Sequence, residues 1–177
     1  MNEKNNDKVL PPVDKKRVRK REKRPVESGT IIWDKNRCTG CEICEMMCAI
    51  YHDGVTGQAF SRLKVVEYHF AEHFEFNVCR QCLYPGCYYA CPRMDKALCI
   101  DVKTGARYID SEECIGCRSC LKACPFDPSR IKYNTEKKVS FKCDLCRQRD
   151  RGPICVEYCL HDALKYKTVN GGDTTDE

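Results

Sequence analysis

Sixteen of the 17 cysteines in this chain fall into four groups of four, which we call quartets 1 to 4 in chain order. Each quartet has a C-x2-C pair, a third cysteine, and a fourth cysteine that follows the third at C-x3-C. Only the gap in the middle varies, and its longer forms in quartets 2 and 4 are typical of loop insertions into a shared template. The quartets are Cys38, Cys41, Cys44 and Cys48; Cys79, Cys82, Cys87 and Cys91; Cys114, Cys117, Cys120 and Cys124; and Cys143, Cys146, Cys155 and Cys159.

The C-x2-C-x2-C-x3-C spacing of quartets 1 and 3 is typical of 4Fe-4S sites. Three thiolates on a tight loop can bind three irons of one cubane, whereas the fourth thiolate, on the helix that leaves the loop, points towards a different cubane. A zinc ion instead needs four converging thiolates, usually from two separated pairs. Quartet 4 taken alone also fits a zinc knuckle, so a zinc-ribbon binding protein is the alternative from another class.

The remaining cysteine, Cys99, lies in a strand pattern outside the quartets. Because free cysteine is among the most buried residue types, we predict that Cys99 is a buried structural thiol and not a ligand.

Composition limits the other ways in which the chain could be stabilised. An odd number of cysteines and no signal peptide argue against a secreted disulfide scaffold. The mean hydropathy of −0.59, with 32% charged residues and one Trp, leaves little material for an apolar core. No apolar run approaches the roughly 18 residues of a membrane-spanning helix. We therefore expect a cytoplasmic protein without a membrane anchor, stabilised in part by bound metal.

Charge is concentrated at the N-terminus. Of the 31 Lys and Arg and the 26 Asp and Glu, ten and five lie in residues 1–28, which leaves 21 of each for the rest of the chain. Four clusters, each adding a net charge of about −2 with its thiolates, would make that part mildly acidic. The run Lys15–Arg24 has no interleaved aromatic residues, which favours a solubilising arm or a docking segment for a partner subunit over nucleic-acid binding.

The rest of the pattern predicts an α+β fold of short hairpins and single helical turns around the cysteine loops, the turns running through the C-x3-C steps. Ile32-Trp33-Asp34 and Tyr108-Ile109-Asp110 both precede a quartet by the same spacing, which indicates an internal repeat. The predicted strands are Thr30–Trp33, Arg62–Tyr68 with Phe74–Val78, Cys99–Val102 with Ala106–Ile109, and Arg130–Tyr133 with Val139–Lys142. We expect a basic, disordered tail over 1–28, a folded domain over 29–167 and a flexible C-terminus over 168–177.

No active site is visible in the sequence. His69-Phe70-Ala71-Glu72-His73 matches the H-x-x-E-H pattern of a metalloprotease class, but its strand-like flanks favour the end of a hairpin. Glycine-rich phosphate loops and nucleophile elbows are absent from the sequence. We therefore assign no catalytic residue and do not expect the chain to be an enzyme on its own.

The four quartets carry a resemblance to a known family that covers about Thr30 to Tyr166. The chain resembles the four-cluster ferredoxin-like electron-transfer subunits of molybdenum and tungsten oxidoreductases, carbon monoxide dehydrogenase and some hydrogenases. Five motifs narrow the resemblance: Cys38-Thr39-Gly40-Cys41-Glu42-Ile43-Cys44, Tyr51-His52-Asp53-Gly54, Ser61-Arg62-Leu63-Lys64-Val65, Cys79-Arg80-Gln81-Cys82 and Lys142-Cys143-Asp144-Leu145-Cys146. With these motifs the chain is similar in particular to the branch that accompanies aldehyde:ferredoxin-oxidoreductase-type tungsten enzymes.

The resemblance implies four sites, because in that family the first quartet pairs with the last and the second with the third. It also implies two ferredoxin-like lobes with two clusters each, one formed by 29–61 with 135–167 and the other by about 74–134. We call the implied ligand sets site 1 (Cys38, Cys41, Cys44 and Cys159), site 2 (Cys48, Cys143, Cys146 and Cys155), site 3 (Cys79, Cys82, Cys87 and Cys124) and site 4 (Cys91, Cys114, Cys117 and Cys120).

The function implied is a relay of single electrons through four 4Fe-4S clusters. The expected partner is a larger soluble catalytic subunit with a tungsten or molybdenum pterin cofactor, and the expected acceptor is a flavin or a ferredoxin. Two alternatives remain within the class: a free-standing polyferredoxin, and an electron-transfer subunit of a hydrogenase or carbon monoxide dehydrogenase.

Metal analysis distinguishes iron from zinc. Protein prepared anaerobically should contain about 16 iron and about 16 acid-labile sulfide per chain, with a broad visible absorption band that bleaches on reduction. Stoichiometric zinc with little iron would contradict the 4Fe-4S interpretation.

Overall fold

The computed structural model describes residues 26–68, 70 and 73–169. Most of the predicted basic tail, most of the predicted C-terminal segment, and His69, Ala71 and Glu72 of the metalloprotease-like pattern lie outside the described residues. The described part contains eight short strands and four helices, which confirms a mixture of small α and β elements. In chain order they are β1 Thr30–Trp33, α1 Ile43–Asp53, β2 Lys64–Tyr68, β3 His73–Asn77, α2 Gly86–Ala90, β4 Leu98–Ile100, β5 Arg107–Ile109, α3 Ser119–Lys122, β6 Lys132–Asn134, β7 Val139–Phe141, α4 Ile154–Glu157 and β8 Leu164–Lys167.

The strands form four separate antiparallel pairs. The hairpins β2–β3, β4–β5 and β6–β7 confirm the three predicted hairpins. The fourth pair joins the two ends of the fold, with Thr30 opposite Lys167 and Trp33 opposite Leu164. Strand β8 was not predicted, although its alternation of buried Leu164 and Tyr166 with exposed Lys165 and Lys167 is the ordinary period of a half-buried strand.

Each C-x3-C step begins at or near a short helix. Helices α2, α3 and α4 are about one turn long and contain Cys87, Cys120 and Cys155. Helix α1 is longer than the predicted single turn, because it continues through Asp53 until Gly54 ends it in a left-handed conformation, with the Gly54 amide donating to Ile50. Helix α1 packs against α4, and α2 packs against α3. None of the helices in the described ranges is both long and apolar enough to span a membrane.

The same backbone conformation recurs in all four C-x2-C loops. The residue just before the second cysteine has a positive φ in each quartet: Gly40 at 71°, Gln81 at 46°, Gly116 at 68° and Leu145 at 59°. Left-handed residues turn successive amide groups towards one side of a loop and create a concave anion-binding surface. The quartets therefore share a local template despite their different middle gaps.

Two small apolar clusters form the core, and cysteines belong to both. The larger one joins β1, β2, β3 and β8 through Ile31, Val65, Phe76 and Leu164, among others. The smaller one contains Tyr88, Leu98, Cys120 and Ile131. The limited apolar core expected from the composition is thus divided between two places in the fold.

Two glycines with similar backbones allow the loop geometry to be tested. A Cβ at Gly116 would lie 2.2 Å from the carbonyl oxygen of Lys138, whereas a Cβ at Gly54 would have no neighbour within 4 Å. Since both residues have a positive φ, Gly54→Ala should cost about 1 kcal/mol for the left-handed conformation alone. Gly116→Ala should cost clearly more, because a backbone oxygen must also move. The thermal unfolding midpoint, measured by circular dichroism, should fall further in Gly116→Ala than in Gly54→Ala. Equal midpoints would contradict the close approach of Gly116 to the Lys138 carbonyl.

Candidate metal centres

The pairing of the chain ends assembles site 1. All four site 1 cysteines line one cavity, three of them from quartet 1 and the fourth, Cys159, from quartet 4. The β1–β8 pair is extended by a hydrogen bond from the Asp34 amide to the Ala163 carbonyl (2.8 Å), and the Ala163 amide donates to Cys159 Sγ (3.2 Å). Cys41 is exposed, so this cavity reaches the protein surface.

Sites 3 and 4 arise from the packing of α2 against α3. One cavity is lined by Cys79, Cys82 and Cys87 of quartet 2 together with Cys124, the last cysteine of quartet 3. A second cavity is lined by the other four cysteines of the two quartets, Cys91 with Cys114, Cys117 and Cys120. The two quartets thus exchange their last cysteines.

Site 2 is the most enclosed of the four groups. Cys48, Cys143, Cys146 and Cys155 are each only 4–8% exposed. Cys48 lies on α1 and Cys155 on α4, two helices that pack against each other, and Cys155 is near enough to Cys48, Cys143 and Cys146 to interact with them electrostatically. Three of the four cysteine sets that the resemblance implies therefore each line one cavity, and the fourth set, site 2, is buried beside the α1–α4 contact.

Thiols of different sites are near enough to influence one another electrostatically. Cys155 of site 2 interacts with Cys44 of site 1, and Cys143 of site 2 interacts with Cys79 of site 3. Cys87 of site 3 interacts with Cys120 of site 4. Site 1 therefore neighbours site 2, site 2 neighbours site 3, and site 3 neighbours site 4.

Backbone amides point at cysteine sulfurs in all four sites. The distances from nitrogen to Sγ are between 3.2 and 3.5 Å. Hydrogen bonds of this kind are one of the means by which a protein sets the potential of an iron–sulfur cluster. The donors and acceptors are Arg62 to Cys48, Arg130 to Cys124, Ser140 to Cys114, Leu145 to Cys143 and Ala163 to Cys159.

Burial makes these thiols poor acids when no metal is bound. It raises the pKa of Cys44 and of Cys146 to about 12 and that of Cys87 to about 11. Burial also raises the pKa values of Cys143 and Cys155 well above the ordinary range, and neighbouring negative groups add to the effect. Sets of four cysteines that line one cavity, with backbone amides aimed at sulfur, fit a thiolate-bound cationic metal core.

A polar group beside site 2 was only partly visible in the sequence. Asp144 forms an ion pair with Arg62 (3.2 Å), and its carboxylate lies 3.5 Å from His52 Nε2. The same His52 nitrogen is 3.7 Å from Cys146 Sγ. Burial, together with the charge of Arg62, lowers the pKa of His52 to about 4, so this histidine is neutral near pH 7. Sequence motifs included all four residues but gave no sign that they meet.

Cys99 lies outside the four sites. It is half-buried and not fully buried as predicted, because β4 and β5 form an isolated two-stranded pair that leaves one face partly open. Its Sγ donates to the Lys96 carbonyl (3.0 Å).

A family profile described as "4Fe-4S dicluster domain" matches residues 70–169, which is more than half of the chain. The chain belongs to the 4Fe-4S dicluster domain family. Cofactors of this dicluster-domain protein are accordingly 4Fe-4S clusters, and the zinc-ribbon alternative is abandoned.

Relatives of this dicluster-domain protein are named as an electron transport protein or as subunits of oxidoreductases. It is 38% identical over 143 residues to the "aliphatic sulfonate oxidoreductase, polyferredoxin-like subunit" of Pyrococcus furiosus, covering 79% of this chain and 78% of that one. In Escherichia coli K12 it is 35% identical over 146 residues to the "putative electron transport protein YsaA" (78% and 89%). It is 34% identical over 155 residues to the "probable anaerobic dimethyl sulfoxide reductase chain YnfG" of the same strain (77% and 71%). The protein is thus a ferredoxin-like iron–sulfur electron-transfer subunit of the kind that serves oxidoreductases.

The position of Cys99 gives a test of the ligand sets. Cys99→Ala should leave the iron content unchanged, since its sulfur faces the Lys96 carbonyl and none of the four sites. Cys120→Ala, a matched loss of one sulfur within a site, should lower the iron content by up to one cluster. Iron lost from the Cys99 variant, measured by metal analysis after anaerobic purification, would make Cys99 a ligand.

Proposed function

We propose that this protein relays single electrons through four 4Fe-4S clusters, one at each of sites 1 to 4, between a catalytic subunit and an electron acceptor. The observation that carries the proposal is that three cavities are each lined by four cysteines drawn from two quartets, while the remaining four quartet cysteines are all buried. The clusters supply one-electron transfer when bound. The chain supplies ligands, spacing and electrostatic environment.

Each short helix is proposed to link two neighbouring sites. Helix α1 contains Cys44 of site 1 and Cys48 of site 2. Likewise, α2 contains Cys87 of site 3, and Cys91 of site 4 directly follows the helix. Four residues of helix rise about 6 Å, so a single turn holds ligands of adjacent sites close together. Between sites 2 and 3, the Gln81 side-chain amide donates to the Cys143 carbonyl (2.9 Å) and connects two quartets directly.

Sites 1 and 4 are the proposed ends of the relay. Site 1 includes exposed Cys41, whereas every cysteine of site 2 is buried, and half-buried cysteines make up all of site 3 and three of the four in site 4. Exposure therefore favours site 1 as one end, and the order of neighbouring sites makes site 4 the other proposed end.

The proposed two lobes follow the same contacts. One lobe, 29–61 with 135–167, would contain β1, β8, α1 and α4 and hold sites 1 and 2. The other, about 74–134, would contain α2, α3, β4 and β5 and hold sites 3 and 4. The pairs β1–β8 and α1–α4 fall within the first lobe, and α2–α3 and β4–β5 fall within the second. Hairpin β6–β7 would then cross the boundary and tie the lobes together.

The proposed partner is a larger catalytic subunit with a tungsten or molybdenum pterin cofactor, and the proposed acceptor is a flavin or a ferredoxin. Support comes from the tungsten-branch motifs and from relatives named as a subunit of an aliphatic sulfonate oxidoreductase and a chain of a dimethyl sulfoxide reductase. Catalysis would belong to the partner. Sixteen reduced thiols favour the cytoplasm as the compartment of the complex.

Ligand pairing is tested by alkylation of cysteines released from a disturbed site. In Cys159→Ser, we expect Cys38, Cys41 and Cys44 to become reactive while Cys143, Cys146 and Cys155 stay protected, as measured by mass spectrometry after anaerobic treatment with iodoacetamide. Cys124→Ser is the matched control in the other pair of quartets, and it should expose Cys79, Cys82 and Cys87. The opposite outcome, with release of Cys143, Cys146 and Cys155 by the first variant, would mean that each quartet binds its own cluster.

Partner identity is tested by anaerobic affinity purification of the full chain with metal analysis of the co-purifying subunit. We expect tungsten or molybdenum. Nickel without either metal would transfer the assignment to a hydrogenase or carbon monoxide dehydrogenase, and four clusters without any co-purifying subunit would favour a free-standing polyferredoxin.

A further inference from the structure

Two long cationic side chains are buried together at the centre of the fold. Arg107 and Lys142 are each 1% exposed. Arg107 Nη1 donates to the Gly105 carbonyl (2.9 Å), and its Nη2 donates to the carbonyls of Gln81 and Cys82. Lys142 Nζ donates to the carbonyls of Cys143 (3.0 Å) and Arg107. All of these acceptors are uncharged carbonyl oxygens.

Neither cation forms an ion pair with a carboxylate of the described residues. The contrast with nearby cations is clear, because Arg62 pairs with Asp144 (3.2 Å) and Lys132 interacts electrostatically with buried Glu45. A buried charge without a counter-ion is strongly unfavourable. Arg107 and Lys142 therefore require a negative group that carbonyls do not provide.

The site 3 cavity is where that negative group would lie. Arg107 and Lys142 both line it, with Cys79, Cys82, Cys87 and Cys124. Arg107 Nε and Arg130 Nη1 are buried without an acceptor among the described residues, and both side chains line this same cavity.

The other cavities are less cationic. The site 1 cavity is lined by Glu42 and by no Lys or Arg. The site 4 cavity is lined by Arg93 and Arg118, but Arg93 pairs with Glu113 and Arg118 lies over the Tyr133 ring at 4.0 Å. Site 3 alone of these three has unpaired cations that are also fully buried. Beside site 2, Arg62 is paired with Asp144 and Arg149 with Glu157.

We propose that Arg107 and Lys142 are the counter-cations of the site 3 cluster and make it the first of the four to accept an electron. This inference rests on the proposed function. Reduction by one electron adds one negative charge to a cluster with four thiolates, so adjacent cations stabilise the reduced form more than the oxidised form. Because both cations are buried, solvent and salt screen them little. The site 3 cluster thus has the highest midpoint potential of the four. The first electron therefore resides at site 3 and not at an end site.

Charge removal at Lys142 is the direct test. In an anaerobic redox titration of the full chain followed by electron paramagnetic resonance, Lys142→Gln should lower the highest of the four midpoint potentials while the other three move less. Lys142→Arg, which keeps the cation, should leave it near the wild-type value. Lys103→Gln removes an exposed cation that pairs with Asp150 and should shift no potential selectively.

A ligand substitution gives an independent test that does not depend on either cation. Cys124→Ser should alter or abolish the signal of the cluster with the highest potential. Alteration of a lower-potential cluster instead would overturn the inference, as would a Lys142→Gln protein with full iron whose highest potential is unchanged, or whose four potentials shift equally. Fewer than four reducible clusters in the wild type would count against the proposed function itself.

Discussion

The structure depends on the placement of two cysteines four residues apart where each quartet closes. In the proposed ligand sets, one short helical segment thereby directs two thiols to two different sites, and each quartet serves a pair of sites. This exchange requires quartets from distant parts of the sequence to meet. The β1–β8 pair and the α1–α4 and α2–α3 contacts provide those meetings, and the hairpins fill the space between them.

A second constraint follows from burying so much charge. Five cysteines of the described fold are fully buried, and their thiols have raised pKa values, so the sites favour neutral thiols until a cationic metal core is present. Arg107 and Lys142 are buried cations that lack a negatively charged partner among the described residues. A bound cluster would meet both needs, since its metal core favours thiolate ligands and its net negative charge favours adjacent cations. Metal binding and folding are therefore expected to be coupled, with the small apolar clusters contributing only part of the stability.

Features encoded locally could be predicted from the sequence, and features that depend on distant contacts could not. The spacing of the quartets indicated 4Fe-4S chemistry, and alternating aromatic and β-branched residues indicated the three hairpins. Strand β8 has the local alternation of a half-buried strand and was overlooked, whereas its pairing with β1, more than 130 positions away along the printed sequence, has no local signal. Arg107 looked like any strand-edge arginine, and only the packing of β5 beside the Cys79–Cys82 loop buries it. Likewise, the meeting of His52 with Asp144 has no local signal.

Diffraction from anaerobically grown crystals, with anomalous scattering measured at the iron absorption edge, tests the arrangement most directly. The account predicts four separate iron centres in a row. Three ligands of each centre should come from one quartet and the fourth from its partner quartet, with Cys159 on the centre held by Cys38, Cys41 and Cys44. Four centres that are each bound by a single consecutive quartet, or fewer than four centres in fully loaded protein, would contradict it.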